Sequence, residues 1–149
     1  MRTTLLTLAA LATIAVLGAP AASAMPAGAA RANPYTAKEV CGSGYRVLKV
    51  KRLRDDGIRL GRIVLLWNGS TGKNCVATIK VHQPGTPDYV QAFLQVRGRA
   101  TGVDDGPFKY YAGPVRASAR GKCVKWGGNI TIAEGVGDGH ISRWGHCGG

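Results

Sequence analysis

Beyond Gly44 the apolar residues of this chain recur at every second position, and no ten-residue stretch repeats them at the three-and-four spacing of a helix. That period belongs to β-strands. Tyr45–Leu53 carries charge on both parities, the mark of an edge strand. It ends at Asp55-Asp56-Gly57, a hairpin signal. Ile58–Trp67 contains Ile63-Val64-Leu65-Leu66-Trp67, apolar on both faces, as in a covered central strand. Asn68–Gly72 turns the chain into Asn74–His82, where Cys75, Ala77, Ile79 and Val81 alternate with Asn74, Thr78, Lys80 and His82. Gln83–Asp88, with Pro84, Gly85 and Pro87, reads as a loop, and Tyr89–Arg99 as a strand presenting Val90, Ala92, Leu94 and Val96 on one side. Thr101–Pro107 reads as a turn through Asp105-Gly106. Phe108–Gly128 supplies two further strands. The first changes phase at Gly113-Pro114, which predicts a bend or bulge; the second, Cys123–Trp126, is expected to close at Gly127-Gly128. Thr36–Val40 offers one helical turn, with Thr36 as cap and Glu39 at the capping-box spacing. The glycine-rich tail is expected to be irregular, with one more strand around Asn129–Ala133. The expected fold is all-β, a small antiparallel β-sandwich or barrel of about six to seven strands.

The amino terminus predicts export. Arg2 precedes an uncharged apolar run, Leu5–Leu17, and Ala22-Ser23-Ala24 has the small-residue pattern of a leader cleavage site. As a helix that run rises only about 20 Å, short of a bilayer core of about 30 Å. Residues 1–24 are therefore expected to be a signal peptide, residues 25–34 a disordered lead-in, and residues 35–149 a single β domain. No membrane span is expected after leader cleavage.

Cysteine usage fits an oxidising compartment. Cys41, Cys75, Cys123 and Cys147 all follow the leader, and no CxxC pair occurs. Two structural disulfides are expected, in preference to a zinc site built from Cys123, His140, His146 and Cys147. Cys41 precedes the first strand and Cys75 starts the third, at the same end of a sheet. Cys123 starts the last clear strand, and Cys147 closes a tail with little apolar content. The expected pairs are Cys41–Cys75 and Cys123–Cys147; crossed pairs suit a closed barrel.

Charge is strongly one-sided. The chain carries 20 Lys+Arg against 8 Asp+Glu, and loss of Arg2 with the leader leaves an excess of +11. Arg46, Lys49, Lys51, Arg52, Arg54, Arg59 and Arg62 form a single block, the candidate site for an acidic polymer. Tyr111, on the same parity as Lys109, is the candidate exposed aromatic. Tyr110, Tyr111, Trp126 and Trp144, with Arg116 and Lys125 nearby, are candidates for a sugar-binding platform, although Trp67 and Tyr110 read better as core.

The blocks CGSGY at Cys41–Tyr45, VLLWNGSTGKNCVATI at Val64–Ile79, YYAGPV at Tyr110–Val115, CVKWGG at Cys123–Gly128 and the closing His146-Cys147 resemble the spore-associated protein A family, small secreted proteins of spore-forming filamentous bacteria. The resemblance covers about Cys41 to Cys147. It implies association with spores and supplies no catalytic residue, cofactor or ligand. The basic stretch Lys49–Arg62 is more charged than the family pattern, and Asn129–Arg143 departs from it.

Catalytic motifs are missing. Asp104 and Asp105 are adjacent, so in extended chain their side chains diverge and cannot flank one bond. Ser142 with His140 or His146 lacks a nucleophile elbow, and there is no HExxH. The expected function is that of a secreted, non-catalytic spore- or cell-surface protein without metal or cofactor. Its expected partner is an acidic cell-wall or spore-surface polymer rather than a specific nucleic-acid sequence. A small protease inhibitor presenting Gly102–Pro107 or Gln83–Asp88 is the alternative, and a secreted hydrolase a more distant one. Oligomeric state is left open.

Overall fold

The computed structural model describes residues 31–148; the expected signal peptide, residues 1–24, and residues 25–30 of the expected lead-in lie outside them. Eight strands follow one short helix. They are α1 (Ala37–Cys41), β1 (Arg46–Asp55), β2 (Ile58–Asn68), β3 (Lys73–Lys80), β4 (Asp88–Val96), β5 (Thr101–Phe108), β6 (Tyr111–Ser118), β7 (Val124–Thr131) and β8 (Gly137–Ile141), with a single 3₁₀ turn at Ala133–Gly135. They form two four-stranded antiparallel sheets, in the orders β1-β2-β3-β6 and β5-β4-β7-β8. The architecture is a sandwich, with more strands than the sequence predicts. Among the described residues no helix is long and apolar enough to cross a membrane.

Inner faces of both sheets make the main core. Ile63, Leu65 and Trp67 of β2 meet Val90, Leu94, Trp126 and Ile130 of the opposite sheet. Apolar burial of this kind contributes about 25 cal/mol per Å² and dominates the stability of such a layer pair. The other face of β2 and β3 is covered as well. Val64, Leu66, Cys75, Ala77 and Ile79 pack beneath Ala37, Val40 and Cys41 of α1. Hence the two-sided apolar run in β2 is explained by a helix lid on one side and a sheet on the other. A five-residue helix is too short to persist alone. This one is held by a reciprocal capping box between Thr36 and Glu39 and by the Cys41–Cys75 disulfide.

The polar parity of β3 is interior too, because the second sheet faces it. Asn74, Thr78 and Lys80 are fully buried between the sheets. Asn74 Nδ2 donates to Leu66 O at 3.1 Å, and Thr78 Oγ1 donates to Gln91 O of the facing sheet at 2.7 Å. The Lys80 ammonium donates to Thr86 O and pairs with Asp88, pinning the β3–β4 loop.

Several local expectations need correction. Thr101–Pro107 is not a turn: it is β5, an edge strand laddered to β4 from Gln95↔Thr101 to Asp88↔Phe108. An edge strand tolerates its Gly and Pro because half its backbone groups need no ladder partner. Gly127-Gly128 lies inside β7 rather than closing it. A Cβ at Gly127 would strike His140 O and the Phe93 ring, and one at Gly128 would strike Gln91 O and Thr78 Oγ1. Glycine stands there because chains on both sides come too close for a side chain. The tail is not irregular: β8 pairs with β7 from Gly127↔Ile141 to Thr131↔Gly137. Among the described residues, the Asn33 amide donates to Lys80 O and Tyr110 O at 2.9 and 2.8 Å. The phase change at Gly113-Pro114 does appear, as a register shift of β6 against β3 between Val76 and Thr78.

Carboxylates close the sides of the sandwich. Where β1 meets β8, Arg54 N donates to Asp138 Oδ2 at 2.8 Å and Gly137 N to Asp55 Oδ2 at 2.9 Å. Where β5 meets β6, Gly113 N donates to Asp104 Oδ2 at 2.6 Å.

Candidate anion-binding face

The basic block lies on the β1–β2 hairpin. Its tip is Asp56-Gly57, both at positive φ (44° and 79°), the conformation a two-residue hairpin turn requires. Directly opposed residues share a face, and the register sorts the block into two groups. Arg52 stands opposite Arg62, and Arg54 opposite Arg59, on the outer face. These four arginines line one concavity of about 40 Å³. Arg52 and Arg62 also border a second, of about 380 Å³, with Lys38 of α1 and the valines Val47, Val50 and Val64. Lys38 is a cation that the sequence reading missed, because the helix brings it beside a strand that begins eight residues later.

Arg46, Lys49 and Lys51 take the other parity, opposite Trp67, Leu65 and Ile63. There Lys51 approaches His140 and Lys49 approaches His146. Both imidazoles are held below the usual histidine range, first by burial and then by the neighbouring ammonium, with Asp138 opposing the shift at His140. The seven basic residues thus form two faces of one hairpin rather than one patch.

No acid among the described residues neutralises them by pairing. Among the described residues Lys80–Asp88 is the one ion pair. Asp55, Asp104 and Asp138 accept from backbone N–H groups, Glu39 caps α1, and Asp105 accepts from the Tyr89 hydroxyl at 2.7 Å. Asp104 and Asp105 therefore point to different partners and flank no common space.

The proposed aromatic platform does not assemble. Trp126 and Trp67 are core residues, each 5% exposed. Tyr111 is half-buried against the α1 cluster rather than exposed, with the Tyr35 ring 5.1 Å away, edge to face. Tyr35 and Tyr89 are the exposed tyrosines. Trp144 sits apart, with Arg97 and Lys125 at 5.2 and 5.0 Å from its ring. Arg116 binds carbonyls of α1 instead of a ligand. Ser142 Oγ accepts from Trp126 N and donates to Arg143 O, both at 2.9 Å, while His140 packs edge-on against the Trp126 ring. Cys123 and Cys147 form a disulfide, and no metal-ligating cluster occurs among the described residues.

Over 113 residues, 75% of this chain and 68% of the relative's length, the sequence is 42% identical to Spore-associated protein A of Streptomyces coelicolor. The chain belongs to the spore-associated protein A family. No family model and no solved structure matches it. Membership agrees with the sequence blocks that carry the resemblance, which lie largely on structural elements: Cys41 and Cys75 in one disulfide, Val64–Ile79 in the covered centre of a sheet, Cys123 and Cys147 in the other disulfide. The relative's name speaks of spores and of no reaction.

Proposed function

We propose that this member of the family is exported, is not an enzyme, and resides on the spore or cell surface, where the β1–β2 hairpin holds an acidic polymer. One observation carries the reading. Seven basic side chains gather on a single exposed hairpin, none is in an ion pair among the described residues, and the neighbouring Asp55 and Asp138 accept from backbone N–H groups instead. A like-signed surface of this kind attracts polyanions and speeds their capture. The leader-like amino terminus and the relative's name support placement outside the cell.

Retention on isolated walls and spores tests it. Binding should weaken steeply with salt, because each neutralised charge releases a counterion. Replacing Lys51, Arg52 and Arg54 by Ser should lower both the affinity and the salt slope. Salt-independent retention, recovery of the protein from cytosol alone, or turnover of wall polymer by the pure protein would each count against the proposal.

A further inference from the structure

Two features set the outer arginines apart from a general basic surface. The first is their register. Like charges directly opposite one another across a strand pair are destabilising, yet Arg52↔Arg62 and Arg54↔Arg59 follow in succession on one face. The second pair exists only because of a bulge. The regular register, continued past Leu53↔Gly61, would set Arg54 opposite Leu60; an extra residue in β2 sets it opposite Arg59 and sends Leu60 into the core. The second feature is convergence. All four residues line the same 40 Å³ concavity, together with Leu53, Gly61 and Val81, and none has an acid partner among the described residues. Four like charges carried by residues around one small space repel one another, and a bound anion would offset that repulsion.

We infer that Arg52, Arg54, Arg59 and Arg62 form a discrete site for a tetrahedral dianion, a phosphate monoester or pyrophosphate group borne by a surface polymer. The chemistry follows from the geometry. A guanidinium presents a planar fork of N–H donors suited to paired oxygens. A carboxylate offers two oxygens and one charge, enough for one or two such forks. A terminal phosphoryl group offers three oxygens and up to two charges, enough to bridge both cross-strand pairs at once. Filling the site also relieves the repulsion across β1 and β2, so occupancy stabilises the sandwich at this edge. The inference rests on the proposed polymer-binding face for its biological setting, but the site itself is tested without any polymer.

Thermal unfolding and calorimetric titration of the leader-free protein would be run with inorganic pyrophosphate, sulfate, acetate and chloride at matched ionic strength. Pyrophosphate should raise the midpoint saturably, as any ligand of the folded state does, and should bind about tenfold or more tightly than acetate, the difference expected of one further charge-assisted contact. R52S/R59S should lose that rise while unfolding, without anion, at an equal or higher temperature than the parent. K49S/K51S, which alters the opposite parity of the same hairpin, should keep the rise. Equal midpoint shifts in all three proteins, or equal responses to acetate and pyrophosphate, would overturn the inference. If R52S/R59S fails to fold, the single R59S titrated by calorimetry gives the same reading. Wall retention without any pyrophosphate response would leave the polymer reading standing and remove the discrete site. A pyrophosphate response without wall retention would do the reverse. With both present, treating the walls with a phosphomonoesterase together with a pyrophosphatase should reduce retention if the group is carried by the polymer; unchanged retention would overturn that assignment.

Discussion

Arg116, on β6, donates through Nε and Nη2 to the carbonyl oxygen of Cys41 at 3.2 and 2.9 Å, and Nη2 also reaches Val40 O at 3.1 Å. The last carbonyls of a helix have no partner within it, and here a cation from a strand 75 residues away supplies one. R116M should cost about 1.5 kcal/mol or somewhat more, the range for a hydrogen bond to a charged group. R116K should restore only part of the loss, since an ammonium lacks the planar fork that places Nε and Nη2 on these carbonyls together. Urea unfolding measures the cost. Faster amide exchange confined to Ala37–Gly42 would locate it; loss spread evenly over both sheets would contradict this role.

Lys80 and Asp88 form the ion pair between the sheets, with Lys80 wholly buried and the Asp88 side chain 8% exposed. Removing one partner leaves the other charge buried and uncompensated. K80M and D88N alone should each cost about 3 kcal/mol or more, whereas K80M/D88L should cost less than the two single changes together, because the buried charges leave as a pair. A double-mutant cycle by denaturant unfolding decides it. Strict additivity would mean that the two side chains do not act as a pair.

The strand pattern was readable where one face alone carries the burial, as in β4, and where turn chemistry is local, as at Asp56-Gly57. It misled where tertiary contact decides. Lys80 and Thr78 sit on the polar parity of β3, and nothing nearby reveals that α1 covers the opposite face and that a second sheet faces this one. β8 has the sequence Gly-Asp-Gly-His-Ile, and its one large aliphatic residue, Ile141, is 71% exposed. Its ladder to β7 and the Asp55 and Asp138 seam define it, and hydrophobic periodicity cannot register either. The basic block was legible as charge. Its division between the two faces of the hairpin was not, because the opposition of Arg54 to Arg59 depends on a bulge that no turn residue announces.

The histidines beside Lys49 and Lys51 predict a pH dependence. His140 and His146 both have pKa values lowered by folding, mainly through burial. An unfolded imidazole takes up its proton near pH 6.5, while the folded ones resist. The unfolded chain therefore binds more protons through and below that region, so stability is full above it and falls as pH drops through it. The Glu39 carboxyl, lowered by the Thr36 hydroxyl and backbone N–H, contributes in a separate window below its ordinary value of 4.5. H140Q and H146Q should flatten the slope as pH falls through and below the ordinary histidine range, and K51S should flatten it partly by removing the charge beside His140. Proton NMR titration of the two imidazoles checks the direction. Values at or above that of a free histidine would contradict it.

The two disulfides should fail differently. Cys41–Cys75 closes a separation of 34 residues and Cys123–Cys147 one of 24. Constraint of the unfolded chain alone assigns each about 3.5 to 4 kcal/mol. Their local consequences diverge because of what else holds each end. Cys41 ends a five-residue helix that the Arg116 contacts and the capping box also secure, so C41S/C75S should loosen α1 and uncover Val64, Leu66 and Ile79. Cys147 lies beyond the paired backbone of Val124 and Gly145, whose two hydrogen bonds measure 2.8 and 3.0 Å. Ser142 Oγ, accepting from Trp126 N, is the next anchor inward. C123S/C147S should therefore fray the chain from about Arg143 onward while the β7–β8 ladder persists. Amide exchange separates the two cases. Protection of Gly139 and Ile141 should survive loss of the second bridge, and dye binding to exposed apolar surface should rise only on loss of the first. If β8 melts with the tail, the Asp55 and Asp138 seam contributes too little to hold that edge, and the disulfide alone keeps it in place.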